Sequence, residues 1–226
     1  GGSNFIFSTE LTPPYSILRG DKTLSVNDQY KWIEYHKERF TAQVYVPIGQ
    51  ARGAEKDKQF ILYLAAKYGF IGKYSASAPA SPFGRFQLGD AGLSNNYGLL
   101  GYDIIAQRGY PVYQSSDPKV NPDISQATEF FTIFNKYTLE MRYPFSTSAS
   151  STIYGLAFFE AANGWYSFKD YNPFVLRRSV GLGMRFFLPM FGLLGFDYGI
   201  GLDRITPGGG LKGAAKFTFM LGQEPE

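Results

Sequence analysis

The sequence predicts an all-β fold, a transmembrane antiparallel β-barrel, and three observations support this fold class. Apolar and polar residues alternate along several segments, as they do where successive side chains of a strand point to opposite faces. Aromatic residues make up 18% of the chain, and charged residues also make up 18%, below the roughly 25% of soluble domains. Short and long connections join the alternating segments, which is typical of outer-membrane barrels.

The alternation predicts eight strands in chain order. They cover approximately residues 4–12, 32–47, 58–74, 128–144, 150–165, 177–189, 193–204 and 212–222. The short turns between them, such as Ser146–Ser150, are predicted to face the periplasm. The connection 75–127 has 53 residues, which is too long for a passive connector, so we expect it to be functional.

The segment 136–145 shows the alternation most clearly. Apolar or aromatic residues occupy its odd positions: Tyr137, Leu139, Met141 and Tyr143. Polar residues lie between them: Lys136, Thr138, Glu140 and Arg142. One face is therefore predicted to contact lipid and the other to line a wet lumen. A soluble β-sandwich would show the same alternation, but the long strands and the aromatic faces favour the barrel.

The composition argues against several functions. A net charge of +3 without a basic stripe argues against nucleic-acid binding. The absence of Cys rules out disulfides and thiol chemistry, and the single His cannot build a multi-His zinc site. The carboxylates Glu10, Asp197 and Asp203 are predicted to line the lumen rather than to form a catalytic pair. We therefore expect no enzyme and no cofactor or metal, although an outer-membrane enzyme with a small site stays an alternative.

Two stretches of the long connection carry a family resemblance. Ser81–Asp90 (SPFGRFQLGD) and Gly101–Tyr110 (GYDIIAQRGY) together resemble the sixth extracellular loop of the BamA family of outer-membrane protein assembly factors. That family has an Arg-Gly-Phe/Tyr motif there, which Arg108, Gly109 and Tyr110 match.

The resemblance covers nearly the whole chain. The later segments Tyr137–Phe145, Phe158–Trp165, Ser179–Phe196 and Phe217–Gly222 are also similar to the last strands of that family. The resemblance implies that residues 1–226 are the C-terminal half of a sixteen-strand barrel, with the long extracellular loop at about 75–127. It also implies that the N-terminal strands and the periplasmic repeat domains are absent from this sequence.

The resemblance further implies a latch inside the barrel. Arg108, Gly109 and Tyr110 would fold into the lumen and tie to Glu140 and Glu160 on the barrel wall. An arginine suits this role because its planar fork binds carboxylates and stays charged when partly desolvated. Gly109 would allow a close backbone approach, and Tyr110 would pack on the wall with its hydroxyl in water. A solvated Arg108 is the plainer alternative.

Glu140 and Glu160 differ in how well they fit this role. Glu140 lies on the polar face of its strand. Strict alternation places Glu160 on the same face as the apolar residues Tyr154, Leu156 and Phe158, which we assign to the lipid side. A β-bulge between them would bring Glu160 to the lumen.

The last segment resembles the strand that forms half of the lateral gate in this family. Its residues are Phe217, Phe219, Leu221 and Gly222. The resemblance implies a factor that folds and inserts β-barrel proteins into the bacterial outer membrane, by pairing client strands with an exposed edge. The implied partners are outer-membrane lipids, client β-barrel proteins and accessory assembly lipoproteins, without nucleic acid. A two-partner secretion transporter and a passive porin-like barrel stay open as alternatives.

Overall fold

The structure is one large antiparallel sheet with a long loop folded against one of its faces. The computed structural model describes residues 1–20, 31–49, 58–75, 81–90, 101, 103–111, 130–148, 151–188, 192–205, 210–211 and 213–221. The strands are β1 (Gly2–Leu11), β2 (His36–Ile48), β3 (Phe60–Gly72), β4 (Phe86–Leu88), β5 (Asp103–Ile105), β6 (Ile133–Ser148), β7 (Ser151–Trp165), β8 (Arg177–Leu188), β9 (Gly192–Gly201) and β10 (Ala215–Leu221). The helical segments are α1 (Tyr15–Leu18) and a 3₁₀ turn at Leu202–Arg204.

Eight of these strands form a continuous sheet in the order β1-β2-β3-β6-β7-β8-β9-β10. Each strand is antiparallel to its neighbours. The predicted all-β fold and its eight strands are confirmed. Their ends differ by a few residues: β2 begins at His36 rather than at residue 32, and β6 continues to Ser148 rather than ending at residue 144.

The short strands β4 and β5 were not predicted. They lie in the long loop between β3 and β6 and form a parallel pair of three residues each. Among the residues that the structure describes, no helix is long and apolar enough to cross a membrane.

The polarity of the two faces of the sheet is the reverse of that in a water-soluble protein. We call the face that contacts the long loop the inner face, and the opposite face the outer face. Large apolar side chains of the outer face are exposed: Phe40, Leu64, Leu139, Phe159, Tyr198 and Phe217. Charged side chains of the inner face are buried: Lys37, Glu140, Glu160, Arg185 and Asp197. This inversion disagrees with a soluble β-sandwich, whose inward-facing residues form an apolar core.

Strand β7 corrects one expectation about which residues face outward. Its register with β8 is continuous, and the irregularity in the β6–β7 pair lies in β6, between Pro144 and Ser146. Glu160 is therefore on the inner face together with Leu156 and Phe158, all three buried. The assignment of Leu156 and Phe158 to the lipid side is wrong, and no bulge in β7 is needed.

The apolar core lies between the long loop and the inner face. Four residues of the loop pack here with residues of the sheet and its margin. The loop residues are Phe86, Leu88, Ile105 and Tyr110, and their partners are Phe131, Phe134 and Ala162. Phe86 and Phe131 exchange two backbone hydrogen bonds of 2.9 and 2.8 Å. These contacts fix the loop on the sheet and so determine where the residues after β5 lie.

Candidate functional site

Arg108 lies between two carboxylates of the inner face. It is 2% exposed and follows β5 in the long loop. Its Nε and Nη2 donate to Glu160 Oε1 at 3.1 and 2.9 Å, and its Nη2 also donates to Glu140 Oε1 at 2.5 Å. Its backbone N–H donates to Glu160 Oε2 at 2.8 Å. The structure thus brings together the three residues that the resemblance links, on the inner side of the sheet.

The register of β6 and β7 explains why one guanidinium reaches both carboxylates. Glu140 is opposite Phe158 and Glu160 is opposite Thr138, so the two glutamates are diagonal neighbours on one face. Such neighbours lie roughly 7–8 Å apart, a separation that a planar guanidinium can bridge. The Phe158 ring lies beneath it, with the guanidinium carbon 3.7 Å from the ring centroid. A cation above an aromatic face is favourable, and this contact accounts for the inward position of Phe158.

Further charged residues extend the cluster on both sides. Lys136 Nζ lies 3.1 Å from Glu160 Oε1 and donates to the Ala106 carbonyl of the loop at 2.5 Å. Arg142 Nε donates to Glu140 Oε2 at 2.7 Å. Each of the two buried carboxylates therefore has two cationic partners, as a buried charge needs. Sequence reasoning did not assign Lys136 and Arg142 to the site, although both lie on the polar face that the alternation predicts.

Strand β9 adds a third carboxylate to the cluster. Asp197 is buried, with its Oδ2 3.9 Å from Arg108 Nη1. Arg185 of β8 donates to both of its oxygens at 2.9 Å, a bidentate pair. The prediction of Asp197 as a carboxylate of the inner wall agrees with this position. Its nearness to Arg108 was not predicted, because β9 is distant in sequence from the other two strands.

Gly109 lets the loop backbone lie directly on β9. Its φ is +83°, which L-residues rarely adopt. A Cβ there would lie 2.9 Å from the Gly201 backbone nitrogen and 3.0 Å from the Ile200 carbonyl carbon. A Cβ at Gly199 would likewise lie 2.6 Å from the Gly109 nitrogen. Arg204 Nη1 donates to the Gly109 carbonyl at 2.8 Å and completes the contact.

Tyr110 packs on the wall more completely than expected. It is buried, and its hydroxyl lies 3.2 Å from both the Arg178 carbonyl and Asp203 Oδ2. The expectation that this hydroxyl is in water is wrong, because Asp203 provides an acceptor in the turn after β9. Burial alone would raise the pKa of Asp203, but its hydrogen bonds with Arg178 outweigh burial and hold that pKa below its usual range. Asp203 is thus an ionised acceptor at neutral pH.

The residues of the last strand lie apart from the Arg108 cluster. Phe217 and Leu221 are on the outer face, 62% and 59% exposed, and Phe219 packs on Phe196 with ring centroids 5.1 Å apart. Gly222 lies outside the described residues. Within the described part of the chain, β10 pairs as a strand with β9 only, and β1 pairs with β2 only. Both outermost strands of the sheet therefore present one free edge.

Together these features define a class of protein. An antiparallel sheet with an exposed apolar face, a buried charged face and a loop folded onto the charged face is typical of transmembrane β-barrels. The chain belongs to the Omp85 superfamily, since the Omp85 superfamily domain matches residues 15–224. Members of this superfamily are outer-membrane β-barrel proteins, and they include insertases and two-partner transporters. No curated protein matches the sequence.

Proposed function

We propose that this chain forms part of an outer-membrane protein assembly factor of the BamA type. Such a factor folds β-barrel proteins and inserts them into the bacterial outer membrane through a lateral gate. The observation that carries the proposal is the long loop, which Arg108 ties to Glu140 and Glu160 on the inner face. A passive pore needs an open lumen, so a loop held there by buried ion pairs argues for a regulated barrel.

The proposed lateral gate would lie at the edge of β10 that does not pair with β9. In the described residues, β10 pairs with β9 from Ala215 opposite Ile200 to Leu221 opposite Leu194. An unpaired edge exposes N–H and C=O groups that a client strand can pair with by β-augmentation. In lipid such groups must be satisfied by another strand, either of a closed barrel or of a client. The gate residues Phe217, Phe219 and Leu221 would then face lipid beside the seam.

The proposal specifies the partners and the place of action. We infer that the protein acts in the outer membrane on client β-barrel proteins, with outer-membrane lipids and accessory assembly lipoproteins as partners. It does so without catalysis and without a cofactor, because strand pairing and apolar burial supply the free energy of insertion. That residues 1–226 form the C-terminal half of a sixteen-strand barrel stays a prediction.

The experiment is a client-folding assay with the full-length protein in liposomes. Unfolded client barrel is added, and its folded fraction is followed by its altered migration on unheated gels. The proposal predicts faster client folding with the wild-type protein than with empty liposomes. It predicts a loss of that acceleration in Arg108→Ala and little change in Lys169→Gln, which removes one charge from an exposed loop.

Two results would overturn the proposal. One is client folding no faster than in empty liposomes, combined with transport of a secreted partner protein; this would assign the chain to the two-partner transporters. The other is an open, steady ion conductance without any effect on clients, which is the behaviour of a passive pore.

A further inference from the structure

We propose that Asp90 is a positioning residue that couples the long loop to the last strand, β10. This inference rests on the proposed function, because it gives the loop a direct contact with the strand that would form the gate. In this arrangement, the loop restrains the inner side of β10 while Arg108 is bound between Glu140 and Glu160. Release of the loop would free β10 to change partners.

The contacts of Asp90 connect two parts of the molecule. Asp90 is buried and lies two residues after β4. Its side chain accepts a hydrogen bond from the Thr218 hydroxyl, and its carbonyl accepts one from Lys216 Nζ. Its backbone N–H donates to the Tyr110 carbonyl at 2.8 Å. Asp90 is therefore bonded to β10 through its side chain and to the Arg-Gly-Tyr motif through its backbone.

Alternation along β10 explains why these residues reach the loop. Lys216 and Thr218 are on the inner face, whereas Phe217 and Phe219 are on the outer face. Thr218 is buried, so its hydroxyl has Asp90 as its partner rather than bulk water. A hydrogen bond to a buried carboxylate is stronger than one between neutral groups, and it stabilises one position of the strand.

These contacts close a ring that passes through the loop and two strands. Thr218 of β10 is opposite Asp197 of β9 in the register, and Asp197 lies 3.9 Å from Arg108. Arg108 is followed by Gly109 and Tyr110, and Tyr110 is bonded to Asp90. Moving β10 away from β9 must break the Thr218–Asp90 contact or carry the loop with it. The seated loop and the paired strand are thus expected to favour each other, which is a coupling between two sites.

Hydrogen exchange of the full-length protein in lipid nanodiscs tests this coupling. The variants are Asp90→Asn, which keeps the shape of the side chain, Thr218→Val, and the double variant. Each single variant is expected to raise amide exchange in β10 by about tenfold while β6 is unchanged. The double variant is expected to exchange more slowly than the product of the two single effects predicts, because both changes weaken the same hydrogen bond. Thr218→Ser, which keeps the hydroxyl, is expected to exchange like the wild-type protein, and Asp170→Asn on an exposed loop is the charge-matched control.

The results that overturn the inference differ from those that overturn the proposed function. Any of three results would overturn the coupling. They are wild-type amide exchange rates in β10 of both single variants, additive effects in the double variant, and an equal rise of the exchange rates in β6. The exchange measurement needs no client protein. Coupling in β10 without client folding would therefore refute the assembly function alone, whereas client folding without coupling would refute the role of Asp90 alone.

Discussion

At the scale of single residues, Arg108 holds the site together because one planar group meets two carboxylates and an aromatic ring. Glu140 and Glu160 are both buried and need cationic partners to stay ionised there. A lysine would keep the charge but has a single ammonium, which cannot form the fork and does not stack on Phe158 in the same way. The choice of arginine at this position thus follows from geometry as well as from charge.

Replacing Arg108 tests the strength of this arrangement. Arg108→Ala is expected to destabilise the folded barrel by about 3–5 kcal/mol, because two buried glutamates lose a partner. Arg108→Lys is expected to cost less, about 1–3 kcal/mol, since the charge remains and hydrogen bonds are lost. Urea unfolding of the full-length protein in lipid vesicles measures both. An Arg108→Ala variant as stable as Lys169→Gln would contradict the buried cluster.

Gly109 offers a second test at the same scale, with a matched control in the chain. Gly109→Ala is expected to lift the loop off β9 and cost about 1–3 kcal/mol, because it combines a positive φ with a Cβ too close to Gly201. Gly20 also has a positive φ, +71°, but a Cβ there would have nothing within 4 Å. Gly20→Ala therefore reports the backbone strain alone. Protease cleavage within residues 103–111 is expected to rise only in Gly109→Ala, and equal cleavage in the two variants would refute the close approach.

At the scale of elements, β7 shows what alternation can and cannot reveal. The alternation located the strand, but the apolar character of Leu156 and Phe158 suggested that they face lipid, whereas they lie on the inner face. Phe158 is inward because it lies under a guanidinium from a distant loop, which no local pattern shows. For the same reason the sequence did not reveal β4 and β5, whose pairing depends on the packing of Phe86 and Ile105 in the core of the loop.

Adjacent phenylalanines of β7 allow a matched test of this assignment. Phe158 is 4% exposed beneath Arg108, whereas Phe159 is 38% exposed on the outer face. Phe158→Leu is expected to cost about 1–2 kcal/mol through the lost cation–π contact. Phe159→Leu is expected to be close to neutral, because lipid accommodates either side chain. Unfolding in vesicles compares the stabilities of the two variants. A Phe159→Leu variant less stable than Phe158→Leu would show that the two phenylalanines are assigned to the wrong faces.

At the scale of the whole molecule, the long loop reaches across the sheet. Asp103 of β5 accepts hydrogen bonds from Lys37 Nζ at 2.8 Å and Arg39 Nη1 at 3.0 Å, both on β2. Arg108 contacts β6 and β7, Gly109 lies on β9, and Asp90 is bonded to β10. The loop thus connects strands near both ends of the sheet. The motif in the sequence pointed to this loop, but only the folded chain shows how many strands it joins.

The inverted faces predict how the molecule responds to a charge on its outer side. Leu139 is an exposed residue in the middle of β6. Leu139→Arg is expected to destabilise the barrel in lipid by about 2–4 kcal/mol, the cost of a cation near the centre of a bilayer. Leu139→Phe keeps the apolar surface and is the control. Equal stability of the two variants in vesicles would show that this face does not contact the hydrocarbon of the membrane.

The position of Arg108 in an experimental structure of the full-length protein in a lipid nanodisc tests whether the long loop is held inside the barrel. We expect the loop inside the barrel, with the Arg108 guanidinium within hydrogen-bonding distance of Glu140 and Glu160. An Arg108 exposed to solvent above an open lumen would contradict it and would favour a passive pore.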